Sequence, residues 1–210
     1  MTPESNPESN PEFTPGSDPG SAPDFTAPCG RAPAPSAEAM RTLGERLGAV
    51  LQAGDVVVLT GPLGAGKTTF TQGVVRGLGA TGRVKSPTFT VIREHRAGTR
   101  ADGTPGVGLL HMDAYRLLGD AVHTAVSEQG ADLPREAVLD ILESLDVDDD
   151  LGDRVLVAEW GRGVVETLSA RVIDVEIGRR TGGGGDDEEF DVIAEDDDPR
   201  DLRWTWLDRG

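Results

Sequence analysis

An α/β fold, three layers deep around a mostly parallel mixed sheet, is the class this sequence predicts. Three observations support it. Strand-like and helix-like runs alternate from residue 36 onward. Residues 61–68, Gly-Pro-Leu-Gly-Ala-Gly-Lys-Thr, fit the phosphate-binding pattern G-x-x-x-x-G-K-[ST] at every fixed position, and they lie between a strand-like run and a helix-like run. Two further apolar runs each end on one acid: Leu109-Leu110-His111-Met112 on Asp113, and Val155-Leu156-Val157-Ala158 on Glu159. Together these make the body a P-loop NTPase domain.

In chain order, the first 35 residues hold nine of the fourteen prolines, six of them at a four-residue step from Pro3 to Pro23, among Ser, Asn, Asp and Glu. Such a stretch buries too little apolar surface to offset its ordering entropy, so residues 1–35 are expected to form a disordered tail. Ser36 is placed to cap a helix on which Met40, Leu43, Leu47 and Leu51 share a face and which ends at Gly54. Residues 55–60, with Val56, Val57, Val58 and Leu59, read as a strand buried on both faces. Phe70, Val74 and Leu78 then recur at helical spacing until Gly79 stops the helix. Residues 84–95 are β-prone, 97–108 contain four glycines with Asp102 and Pro105 and read as a hairpin loop, and 107–115 return as a strand.

Residues 119–153 are a long connection whose best helix starts near Pro134 and aligns Val138, Ile141, Leu142 and Leu145. Residues 155–158 and 172–177 are strand-like. Four consecutive glycines and an acidic run over 186–198 make 181–201 a flexible excursion, with Phe190, Val192 and Ile193 a candidate brief strand inside it. Leu202, Trp204 and Trp206 alternate, which predicts that 202–210 adds a last strand, aromatic face inward, to the domain formed by 36–180.

Charge is segregated along the chain. Of the net −17, residues 1–35 supply five acids and one Arg, 181–210 supply eleven acids and three Arg, and −5 remains for the rest. No Lys/Arg cluster is visible, so direct binding of DNA or RNA is not expected. No segment has the basic start and apolar stretch of a secretory signal, or the roughly eighteen apolar residues of a membrane span, so the expectation is a cytoplasmic protein with no membrane association. Cys29 is the sole cysteine, which excludes an internal disulfide or a Cys-based metal site.

The P-loop carries the chemistry. Its glycines let backbone N–H groups of Leu63, Gly64, Ala65, Gly66, Lys67 and Thr68 turn inward around phosphate oxygens, and the following helix N-terminus adds partial positive charge. Lys67 is suited to reach the β- and γ-phosphates, and the Thr68 hydroxyl to hold Mg²⁺. The chain has eighteen Arg and two Lys, so an Arg-favouring composition has kept the compact ammonium where a phosphate cradle requires it. Hydrolysis also needs a carboxylate for metal or water, and Asp113 and Glu159 stand at strand tips where such groups belong. Ser86-Pro87-Thr88 lies about twenty residues beyond the P-loop, where Thr88 is either a switch that senses the γ-phosphate or part of a structural turn into a strand. No asparagine follows Asn10 and no lysine follows Lys85, so the Asn-Lys-x-Asp signature of guanine-specific proteins is absent and ATP is the expected nucleotide. His95, His111 and His123 lack metal-site or triad spacing, but His111 faces the same way as Asp113, either to position it or simply to pack.

Four segments in this order resemble the TsaE (YjeE) family: Gly-Pro-Leu-Gly-Ala-Gly-Lys-Thr-Thr at 61–69, Ser-Pro-Thr-Phe-Thr at 86–90, His-Met-Asp-Ala-Tyr-Arg-Leu at 111–117 and Ala-Glu-Trp-Gly at 158–161. The resemblance implies an ATPase that assists threonylcarbamoyladenosine synthesis in tRNA, next to the anticodon, by acting on TsaD-like and TsaB-like proteins and so meeting tRNA only through that complex. It also implies roles: Gly61, Leu63 to Thr68 and Thr69 at the phosphates, Thr68 and Glu159 at Mg²⁺, Asp113 at the attacking water, Thr88 at the γ-phosphate, and Trp160 against nucleotide or partner. Asp113 and Glu159 can exchange roles, since spacing does not assign them. The proline-rich start, the long 119–153 connection, the acidic loop, and Met40 where a small polar residue near the base is expected all depart from the family pattern. Two other readings share the phosphate cradle: a small-molecule kinase with a lid at 119–153 carrying Arg135, and a binding module in which ATP only selects a conformation.

Overall fold

The computed structural model describes residues 22–87, 90–114, 151–179 and 199–208. These form a seven-stranded mixed sheet in the order β1-β7-β6-β2-β5-β4-β3. The strands are β1 (Cys29–Ala34), β2 (Val56–Thr60), β3 (Ile92–His95), β4 (Gly108–Asp113), β5 (Arg154–Glu159), β6 (Arg171–Arg179) and β7 (Arg200–Asp208). β6, β2, β5 and β4 run parallel at the centre, while β3 and the β7–β1 pair are antiparallel margins. The apolar run of β2 is buried on both faces because it lies mid-sheet: Val57 and Leu59 meet one core, Val56 and Val58 the other.

Two helices, α1 (Ala37–Val50) and α2 (Lys67–Gly77), cover the first face. Ser36 caps α1 as expected, its Oγ accepting from the Ala39 N–H at 3.2 Å. The helices touch backbone to backbone. Gly44 and Gly48 of α1 face Gly73 and Gly77 of α2, and a Cβ at Gly44 would strike the Phe70 carbonyl, one at Gly73 the Arg41 carbonyl. Arg100, in the loop between β3 and β4, sends its guanidinium to the carbonyls of Gly48, Ala49, Leu51 and Gly77, capping both helix C-termini at once. On the second face, Leu151, Val164 and Val165 pack against Val56, Val58, Leu110 and Leu156, with a 3₁₀ turn at Glu166–Leu168 beside them. The helix expected near Pro134, the acidic excursion up to residue 198 and Thr88 lie outside the described residues.

The expected tail boundary at residue 35 needs correction. Phe25 is buried against Trp204, ring centroids 4.5 Å apart, and its carbonyl accepts from the Trp206 indole at 2.8 Å. β1 follows and pairs with β7 from Cys29↔Thr205 to Ala34↔Arg200. Pro33 is tolerated there because an edge strand pairs on one side only. The β-prone stretch 84–95 is also shorter as a strand than expected. The Thr90 and Val91 N–H groups both donate to the Pro87 carbonyl, and Val91 takes a positive φ of 63°, so the paired strand begins at Ile92.

Candidate functional site

β2 ends at Thr60, and the loop after it turns on Gly61 (φ 139°), Gly64 (φ 75°) and Gly66 (φ 102°) before α2 starts at Lys67. Side chains are poorly tolerated at Gly61 for a second reason, since a Cβ there would meet the Ile177 carbonyl. The first amides of α2 have no acceptor within the helix, and they open on a cleft of about 610 Å³ lined by Leu63 to Thr69, Ser86, Asp113, Glu159 and Trp160. Leu63 stands on its rim, 90% exposed.

Two strands deliver the acids. Asp113 and Glu159 are register partners on β4 and β5, so both tips reach the same level and both acids are buried. The Glu159 backbone is tied in by the Ala114 N–H donating to its carbonyl, and the next residue's N–H donates to Leu59 of β2. Thr68 Oγ1 donates to Glu159 Oε1 at 2.9 Å. His111 Nε2 meets the same oxygen at 2.9 Å, so His111 faces the side that Asp113 faces, as expected, but is bonded to Glu159.

Lys67 is buried under Trp160. Its Nζ donates to the carbonyls of Gly61 (2.8 Å) and Pro62 (3.1 Å) and lies 4.0 Å from the centroid of the indole ring. Trp160 reaches this position from a left-handed turn, φ 61°, just beyond Glu159. Burial pushes the Lys67 ammonium below the ordinary lysine range, and the charges of Glu159 and Asp113 pull it part of the way back.

Every expected phosphate, acid and tryptophan position among the described residues therefore converges on this cleft, with Gly61 contributing a carbonyl beneath it. Sequence reasoning missed Ser86 as a lining residue, the Trp160–Lys67 contact and the His111–Glu159 bond. The last two depend on turn geometry and cross-strand register, which spacing does not carry. Met40 is buried beneath Gly66 and helps line a small recess of about 90 Å³ with Ser36, Thr69 and Arg200. A separate groove of about 490 Å³ at the opposite end of the parallel strands, lined by Phe25, Gln52, Arg171 and Trp206, holds no comparable group of acids; its Arg171 is paired with buried Asp55 at 2.7 Å.

A family model described as "Threonylcarbamoyl adenosine biosynthesis protein TsaE" matches residues 34–183. The chain belongs to the TsaE family. A relative from Mycobacterium tuberculosis, named tRNA threonylcarbamoyladenosine biosynthesis protein TsaE, is 47% identical over 150 residues, covering 71% of this chain and 79% of that one. One of the same name from Streptomyces coelicolor is 45% identical over 143 residues, covering 68% and 81%. Among solved structures, Bacillus subtilis YdiB superposes with a TM-score of 0.52 at 27% identity, covering 85% of this chain and 86% of that one, in keeping with the P-loop NTPase fold. TsaE proteins take part in the biosynthesis of threonylcarbamoyladenosine in tRNA. Among the described residues, no helix is long and apolar enough to cross a membrane.

Proposed function

We propose that this chain is an ATPase whose Mg²⁺-dependent turnover serves threonylcarbamoyladenosine formation in tRNA, through contact with TsaD-like and TsaB-like proteins in the cytoplasm. The observation that carries this reading is the convergence of Lys67, Thr68, Asp113 and Glu159 on one cleft at the start of α2. The two carbonyls now held by Lys67 stand in for phosphate oxygens, and an incoming triphosphate takes the ammonium from them. The helix N-terminus and loop amides hold the β- and γ-phosphates.

The donor set suits Mg²⁺. Thr68 Oγ1 and Glu159 Oε1 are hard oxygens 2.9 Å apart and would hold the cation. Bound there, Mg²⁺ would supply positive charge to offset that developing on the phosphates. The Thr68–Glu159 bond supports Glu159 as the acid on the metal side, with Asp113, at the neighbouring strand tip, as the group that would accept a hydrogen bond from water and aim its oxygen at the γ-phosphorus. The water oxygen would bond to the γ-phosphorus as its bond to the β–γ bridging oxygen breaks, with the water's protons passing to the released phosphate and to solvent, giving ADP and phosphate.

Calorimetry with ATP and Mg²⁺, followed by capture of a TsaD-like protein in ATP and in ADP, tests the reading. Nucleotide-dependent capture is expected, and absence of any heat of association overturns it. An Asp113→Ala variant that loses hydrolysis yet supports normal tRNA modification reduces the role of ATP to conformational selection.

A further inference from the structure

His111 carries out a task that the phosphate cradle does not explain. Its side chain is fully buried on β4, between Leu109 and Asp113 on the helix-covered face, and Nε2 reaches diagonally across to Glu159 on β5. Glu159 Oε1 accepts there, and it also accepts from Thr68. A carboxylate oxygen accepts, so Nε2 is the donor of this bond. Among the described residues Nδ1 is buried with no hydrogen-bond partner. A merely space-filling role would be better met by an apolar side chain, which leaves no buried ring nitrogen unsatisfied. The polar identity of residue 111 is accounted for only by what Nε2 does.

Resting on the ATPase reading above, we propose that His111 is the positioning residue for Glu159: its Nε2–H fixes Oε1 so that the carboxylate keeps one orientation toward the cation held with Thr68. Thr68 cannot do this alone, because its hydroxyl is itself engaged at the cation when the site is loaded. The imidazole is tied to no such duty. It sits on a strand whose register to β5 is set by six paired positions, so the donor is fixed by the sheet and not by the mobile ligand. An outer donor of this kind limits the directions a ligating carboxylate can take.

The experiment compares His111→Gln, whose amide places an N–H near the position of Nε2, with His111→Asn and His111→Leu, which do not. ATP affinity is measured by calorimetry in EDTA and across a Mg²⁺ titration, beside Mg²⁺-dependent hydrolysis. We expect the Asn and Leu variants to need about tenfold or more additional Mg²⁺ for half-maximal effect. Their metal-free ATP affinity should stay within about twofold of wild type, because Lys67 and the loop are untouched, and Gln should recover most of the loss. In wild type, ¹⁵N NMR of the ring should report the Nε2–H tautomer. Equal Mg²⁺ requirements in all four proteins, equal impairment of Gln and Asn, or an Nδ1–H tautomer overturns the proposal. Wild type that binds no ATP even with Mg²⁺ overturns the ATPase reading instead, and the NMR result still decides the His111–Glu159 bond.

Discussion

At the scale of single residues, Lys67 is held by two carbonyls and an indole face in a setting whose burial disfavours its charge. The native state therefore gives up this proton more readily than the unfolded chain, and the resulting penalty applies wherever the lysine is charged and eases only as pH rises toward the ordinary lysine range. Lys67→Met is expected to weaken ATP binding by roughly a hundredfold by calorimetry, while the ligand-free variant melts no lower than wild type. His95 is shifted in the same direction, with its consequence nearer neutrality. Burial first, then the nearby His111, push it below its usual 6.5, while its bond to the Thr81 carbonyl opposes this and Arg93 adds a smaller lowering. The unfolded state takes up the proton first, so stability falls as pH drops through about 6.5. His95→Phe should flatten the stability–pH profile between pH 7 and 5, by up to about 1.4 kcal/mol per pH unit, in urea titrations. The P-loop and both acids were legible because each is a local pattern with a strand or helix beside it. The bond from His111 was not, because it depends on the β4–β5 register.

Among elements, the contact between α1 and α2 shows how a pattern present in the sequence can pass unread. Apolar spacing predicted both helices and the residues they bury, but the two glycine pairs four residues apart, Gly44/Gly48 and Gly73/Gly77, set how closely the helices approach. On an exposed helix, replacing Gly with Ala gains about 1 kcal/mol of propensity. Here Gly44→Ala is expected to lower the urea midpoint, with a net cost of about 1–3 kcal/mol, because the new methyl meets the Phe70 carbonyl of a helix that cannot move without moving the P-loop. Arg100 belongs to the same scale. The hairpin loop was recognised from its glycines, yet its long side chain reaches back to hold the ends of both helices, and no local signal announces a partner some fifty residues away.

For the whole molecule, the end segments matter more than composition suggested. Averaging over 35 proline-rich residues hid Phe25 and β1, whose stability comes from Trp204 and Trp206 at the other end of the chain. Removal of residues 1–21 is expected to leave the thermal midpoint unchanged, whereas removal of 1–35 strips the β7 edge and lowers it. Phe25→Ala alone should cost about 3 kcal/mol in denaturant unfolding. The matched family region, 34–183, stops short of β7, which nonetheless pairs with β6 over nine positions from Arg171↔Asp208 to Arg179↔Arg200. The α/β class was readable from alternation, and the strand order was not, since it is set by which edges the chain returns to. In that order Arg200 meets the P-loop carbonyl of Gly64, while Thr26 and Leu207 share the groove at the far end. The start of β1 and the end of β7 thus both lie on the side remote from the cleft, so a bead, a sensor chip or a fluorescent fusion attached next to either one leaves the nucleotide entrance facing open solution.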